Sequence, residues 1–149
     1  MPRAVRYQGA IVRDHHLLLI KHRHHADGRD YWIVPGGGIE DGETEAQCVR
    51  REMLEETHLE VRVERLLLDE AADMIGVYSR YKTYLCAPLS GEARPGHEPE
   101  PEAAVYSISD IGWFDLRDEA QWDKQVLSDS ITYPLVKRIQ RALGYDSTR

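Results

Sequence analysis

The stretch from Pro35 to Leu59 constrains this chain more than any other. It opens with Gly36, Gly37 and Gly38, residues that let a backbone turn tightly and approach a ligand closely. Thr44 with Gln47 three residues later is a capping-box pattern, which predicts a helix starting there. At roughly 100° per residue, Ala46, Val49 and Met53 fall on one side as a core-facing stripe. Glu52, Glu55 and Glu56 fall on another side at spacings of three and four, so their carboxylates converge.

Carboxylates gathered on one helical face repel one another, and a helix needing only solubility would interleave lysines. Here the flanking cations are Arg50 and Arg51, and neither is expected at the centre of the acidic face. A divalent cation converts the repulsion into affinity, and oxygen donors suit Mg²⁺ or Mn²⁺. A solvated acidic face is the ordinary reading of a Glu-rich helix. The glycine turn ahead of this one shifts the balance toward a bound cation, because it places backbone amides beside the carboxylates.

The order Gly37, five residues, Glu43, seven residues, Arg51-Glu52-Met53-Leu54-Glu55-Glu56, and then Leu59 resembles the Nudix box. It covers 23 residues with fixed spacing throughout. His58 stands where that family usually carries glycine, near a helix end where a left-handed conformation is common. Histidine enters that region at a cost of about 1 kcal/mol, and the exchange removes no carboxylate.

The resemblance implies an α/β fold, an α/β/α sandwich with a mixed sheet between helices. It implies metal-dependent hydrolysis of a pyrophosphate bond in a nucleoside diphosphate linked to another group: a nucleotide, a nucleotide sugar or a dinucleoside polyphosphate. Glu52, Glu55 and Glu56, with the Gly36 carbonyl, are then the expected holders of Mg²⁺ or Mn²⁺. A box glutamate or a glutamate in the later loop is expected to be the base, with Glu52 the choice among them. Arg51 is expected to pair with Glu43 and fix the loop against the helix. Arg23, Gly37 and Gly38 are expected on the substrate side, and one of Glu98, Glu100 and Glu102 is expected to reach the metals. Two rivals stand beside this reading. A non-catalytic nucleotide-sensing domain would be expected to lose a box carboxylate, and all three are present. An acidic calcium- or partner-binding helix leaves the glycine loop and the Glu43–Arg51 spacing as coincidence.

The chain has 149 residues and 42% hydrophobic content, which predicts one domain over residues 1–149. A net charge of −7 argues against nucleic acid as a static partner. The expected partner is a small nucleotide-type molecule, with no membrane, and a homodimer stays open. Cys48 and Cys86 lack metal-ligand spacing, and no apolar run reads as a signal peptide, so the expected location is cytoplasmic with free thiols.

Residues 3–13 and Leu17–Ile20 read as a hairpin, with Lys21–His25 as a solvated loop in which Lys21 and Arg23 follow a buried strand. Adjacent histidines there lack the spacing of a closed zinc site. Tyr31–Val34 reads as a strand with Trp32 in the core. Leu59–Leu68 reads as a half-buried strand, Asp69–Gly76 as irregular, and Val77–Leu89 as a strand stopped by Pro88. Ser90–Ala104, rich in proline and glutamate, reads as a long loop. Val105–Leu116 returns to strand. A terminal helix with Pro134 in its first turn and an apolar stripe of Leu135, Ile139 and Leu143 ends at Gly144. Tyr78 and Tyr81 lie near the place where dinucleoside polyphosphate hydrolases of the resembled family carry a tyrosine. The proline associated with its ADP-ribose enzymes is absent between Leu59 and Tyr84.

Overall fold

The apolar run Leu17-Leu18-Leu19-Ile20 is wholly buried, yet it serves two cores. Leu17 and Leu19 join one apolar cluster, while Leu18 and Ile20 join the other. Only a strand covered on both faces behaves this way, since successive side chains point to opposite sides. The computed structural model describes residues 4–75, 78–97 and 105–145, and it places this run at the centre of a mixed sheet.

Seven strands are seen among the described residues: β1 (Ala4–Arg13), β2 (His16–His24), β3 (Asp30–Ile33), β4 (Gly36–Gly37), β5 (Glu60–Ile75), β6 (Tyr78–Ser90) and β7 (Tyr106–Asp115). The order is β3-β2-β1-β6-β5, with β4 paired to β1 and β7 paired to β2. β1 and β6 run parallel, and the other pairings are antiparallel. Helix α1 (Glu45–Thr57) covers one face through Cys48, Val49 and Met53. On the other face lie a short α2 (Lys124–Leu127) and α3 (Thr132–Ala142), which contribute Val126, Leu135, Val136 and Ile139. This is the expected α/β/α sandwich.

Several boundaries differ from those read in the sequence. β2 does not stop at Ile20 but continues to His24, because Lys21–His24 pairs with β7 and Lys21–Arg23 also pairs with β3. His22 is buried there, stacked on Tyr106 and edge-on to Tyr31. Asp69–Ile75 is strand rather than irregular, held to β6 through Asp69↔Lys82 and Ala71↔Arg80. Four register shifts along this pairing break the alternation that makes a strand legible. Pro88 does not end β6, which runs on to Ser90 with Pro88 opposite Val61 at one such shift. Trp32 is core, against Phe114. Cys48 and Cys86 are both buried and free.

Candidate functional site

The glycine turn is fixed by pairing: Gly36 lies opposite Gln8 and Gly37 opposite Tyr7 of β1. A Cβ at Gly36 would stand 2.8 Å from Gln8 Cα, and one at Gly37 would stand 2.6 Å from Glu52 Cδ. Neither glycine has positive φ: at Gly36 the β1 backbone leaves no room for a side chain, and at Gly37 a side chain would displace the Glu52 carboxylate.

α1 begins as its sequence predicts. Thr44 Oγ1 accepts from the Gln47 amide at 3.1 Å, and Gln47 Oε1 accepts from the Thr44 amide at 2.9 Å. The helix ends on His58, whose φ of 63° and ψ of 15° are left-handed and whose amide donates to Leu54 O. Between these ends, Glu52 and Glu56 are 4% and 1% exposed, and Glu55 is half-buried. Two of the three carboxylates therefore face inward rather than forming a solvated strip. The Gly36 amide donates to Glu56 Oε1 at 2.9 Å, which joins the glycine turn to the helix.

Arg51 occupies the middle of this group, contrary to the sequence reading that kept it off the acidic face. Its guanidinium pairs bidentately with Glu43 at 2.7 and 3.1 Å and donates to Gly38 O at 3.0 Å. Its Nη1 also donates to Glu52 Oε2 at 3.1 Å and to Glu55 Oε1 at 3.2 Å. Helical angles fix where a Cβ points, but the long arginine stem carries its charge across to a neighbouring face. Glu55 is also four residues on, within reach along the helix. The Glu43 bond is the main cause holding the Arg51 pKa above its ordinary value, and the same bond holds Glu43 low. Burial pushes Glu52 up to about 7, against the pull of Arg51 and with the repulsion of Glu55.

Among the described residues, no three His, Cys, Asp or Glu side chains already stand as a metal-binding group. The reason is visible: Arg51 engages Glu52 and Glu55, and Glu56 is turned to Gly36. The donors themselves are hard oxygens, the chemistry that Mg²⁺ and Mn²⁺ prefer. They fit such an ion once Glu52 and Glu55 exchange the guanidinium for it.

One residue beside the site went unread in the sequence. Arg6 of β1 donates to Val34 O at 2.8 Å and to Gln8 Oε1 at 3.1 Å, while buried Gln8 donates onward to Thr83 Oγ1 at 2.9 Å. Burial opposes the Arg6 charge, but Glu56, Tyr78, Tyr81 and Glu52 together outweigh it. An isolated arginine in a strand reads as a solvated rung, so no sequence signal separates it. Arg23 lies elsewhere, ion-paired to Asp30 at 3.1 Å on a side chain 52% exposed. Tyr78 sits near the turn, its hydroxyl 3.8 Å from where a Gly38 Cβ would be. Glu98, Glu100 and Glu102 fall outside the described residues. A groove of about 570 Å³ between α1 and β5, flanked by Leu54, Arg50, Val63 and Leu89, includes neither Glu52 nor Glu56 in its lining.

A family model for the NUDIX domain matches residues 4–130. An NAD-capped RNA hydrolase, NudC, of Photorhabdus laumondii is 34% identical over 90 residues, covering 60% of this chain and 33% of that protein. An ADP-ribose pyrophosphatase of Methanocaldococcus jannaschii is 40% identical over 118 residues, covering 72% of this chain and 64% of that protein. The chain thus spans a third of the first relative's length and under two thirds of the second's. A solved NUDIX hydrolase from Nitrosomonas europaea superposes with a TM-score of 0.70 at 20% identity, over 97% of this chain and 74% of that one. With its box helix buried against a glycine turn and a family match over most of its length, this chain belongs to the NUDIX family.

Proposed function

We propose that this chain hydrolyses a pyrophosphate bond in a nucleoside diphosphate linked to another group, using Mg²⁺ or Mn²⁺. The observation that carries this is the pairing of buried Glu56 with the Gly36 amide beside buried Glu52. Burying carboxylates is costly unless a cation or hydrogen bonds compensate them. Arg51, the cation in contact with Glu52 and Glu55, is shared with Glu43, and Arg6 is a second cation favoured by Glu56 and Glu52, so these four carboxylates face two guanidiniums.

Glu52, Glu55 and Glu56, with the Gly36 carbonyl, would hold the ions. When bound, the ions neutralise phosphate oxygens and acidify a water. Arg51 and Glu43 tie the turn to the helix and so orient the carboxylates. Glu52, placed against Gly37, takes the proton of the attacking water in this reading. Gly37 and Gly38 present backbone to the substrate without a side chain in the way. Arg23, away from the carboxylates, meets a substrate phosphate in this reading after leaving Asp30. The relatives named for NAD-capped RNA and for ADP-ribose share a diphosphate bridging a nucleoside and a second group, and that is the substrate class proposed here.

No helix among the described residues is long and apolar enough to cross a membrane. The free, buried thiols of Cys48 and Cys86 suit a reducing, cytoplasmic setting. Phosphate or nucleotide release from a panel of ADP-ribose, NAD, nucleotide sugars, dinucleoside polyphosphates and nucleoside triphosphates, with Mg²⁺ and with Mn²⁺, tests the assignment. Cleavage of at least one diphosphate-bridged compound, abolished by chelator, is expected. Binding without cleavage across the panel would favour the sensing domain.

A further inference from the structure

The last turn of α1 carries Glu55 and Glu56 and has no basic residue to offset the negative helix end. A helix leaves its final carbonyls without partners inside the helix. Here each is met. The His58 amide takes Leu54 O, and the other three carbonyls are met by one distant segment. Arg94 donates to Thr57 O at 3.1 Å, Gly96 to Glu56 O at 2.9 Å, and His97 to Glu55 O at 3.1 Å. Pro95, which has no amide to give, sits between two of these donors.

Gly96 makes the approach possible. A Cβ there would lie inside the van der Waals shell of Glu55 O and 2.8 Å from the carbonyl carbons of both Glu55 and Glu56. These are backbone atoms of a capped helix, so they cannot swing aside as a flexible side chain would. Gly91, at a φ of 99°, turns the chain back over His58 just before this segment.

We propose that Gly96 is a positioning residue for the metal site, and that docking of residues 94–97 on the helix end is linked to cation binding at Glu52, Glu55 and Glu56. The proposal rests on the metal-site reading above. Two of those three ligands stand in the capped turn, and the cap bonds the carbonyls of the same two residues. An uncapped last turn frays, which blurs the directions of both side chains. Holding the turn therefore favours the ion, and by reciprocity the ion must hold the cap to the same degree.

Hydrogen exchange on the whole chain in sub-denaturing urea, with and without Mg²⁺, tests this without any variant. The amides of Arg94, Gly96 and His97 are expected to slow by about tenfold on saturation, a coupling within the usual allosteric range. Leu19, in the β2–β7 ladder, reports global unfolding, which releases the ion, and is expected to slow by the larger factor set by binding itself. Calorimetry on Gly96→Ala is expected to show Mg²⁺ affinity weakened by that same factor. Exchange at residues 94–97 that is unchanged by Mg²⁺ while Leu19 slows would overturn the linkage and leave the proposed function standing. Unchanged Mg²⁺ affinity in a folded Gly96→Ala protein would also overturn it. If the unaltered chain binds no Mg²⁺, the metal-site reading itself fails and the linkage with it.

Discussion

Replacing Arg51 with alanine removes the one guanidinium that touches Glu43, Glu52, Glu55 and the Gly38 carbonyl together. Breaking a buried ion pair by deleting one partner costs about 3–5 kcal/mol. Arg51 is 20% and Glu43 17% exposed, so solvent recovers part of that and about 3 kcal/mol remains at pH 8. The cost should depend on pH in a way that separates its parts. Glu43 has a depressed pKa, so its pairing with Arg51 contributes above the ordinary carboxylate range and is lost only as pH falls through the lower folded value. Glu52 is raised to about 7 by burial, so its attraction to Arg51 exists only where it ionises, above that pH. Between pH 8 and pH 5.5 the Glu52 share vanishes while the Glu43 share stays, and the cost of Arg51→Ala should fall by roughly 1 kcal/mol. Urea unfolding of both proteins in chelator at the two pH values measures this. A cost that is equal at both, or under about 1 kcal/mol at pH 8, refutes the picture of one arginine holding a buried acidic group.

His58→Gly removes a left-handed strain of about 1 kcal/mol, partly offset by the entropy of an unfolded glycine. Slight stabilisation with unchanged Mg²⁺ affinity is expected, and a clear drop in the denaturation midpoint would show that the histidine side chain holds the turn. Of Glu98→Ala, Glu100→Ala and Glu102→Ala, at most one is expected to lower turnover by tenfold or more. Large, equal losses from all three would mean that these glutamates act as a charged unit.

What could be read from the sequence was whatever depends on near neighbours along the chain. The Thr44–Gln47 box, the left-handed His58 and the buried four-residue run of β2 are each set within a few positions. The terminal helix behaved likewise: Leu135 and Ile139 are buried and Gly144 has positive φ just past its end. What failed depends on partners far away. Lys21–His24 became strand because two neighbours offered backbone bonds, and a cluster of basic residues gives no hint of that. Asp69–Ile75 was hidden because shifts in register destroy the period on which strand recognition relies. At the site, the identity of the three glutamates was legible but their surroundings were not. Arg51 reaching into the acidic group and Arg6 arriving from β1 are products of side-chain length and sheet register. The 94–97 cap joins residues some forty positions apart, beyond the range of any local pattern.

If the carboxylates of α1 act through a divalent cation, Glu56→Gln should lower turnover sharply while leaving the fold in place. The amide keeps the side chain's shape and an oxygen that can still accept the Gly36 amide, so the fold should hold. Turnover of the best substrate from the panel, at saturating Mg²⁺, is to be compared between the unaltered chain and a Glu56→Gln protein of matched unfolding midpoint. A loss of at least about a hundredfold is expected, equivalent to roughly 3 kcal/mol of transition-state stabilisation. Full turnover in the folded Glu56→Gln protein would contradict it.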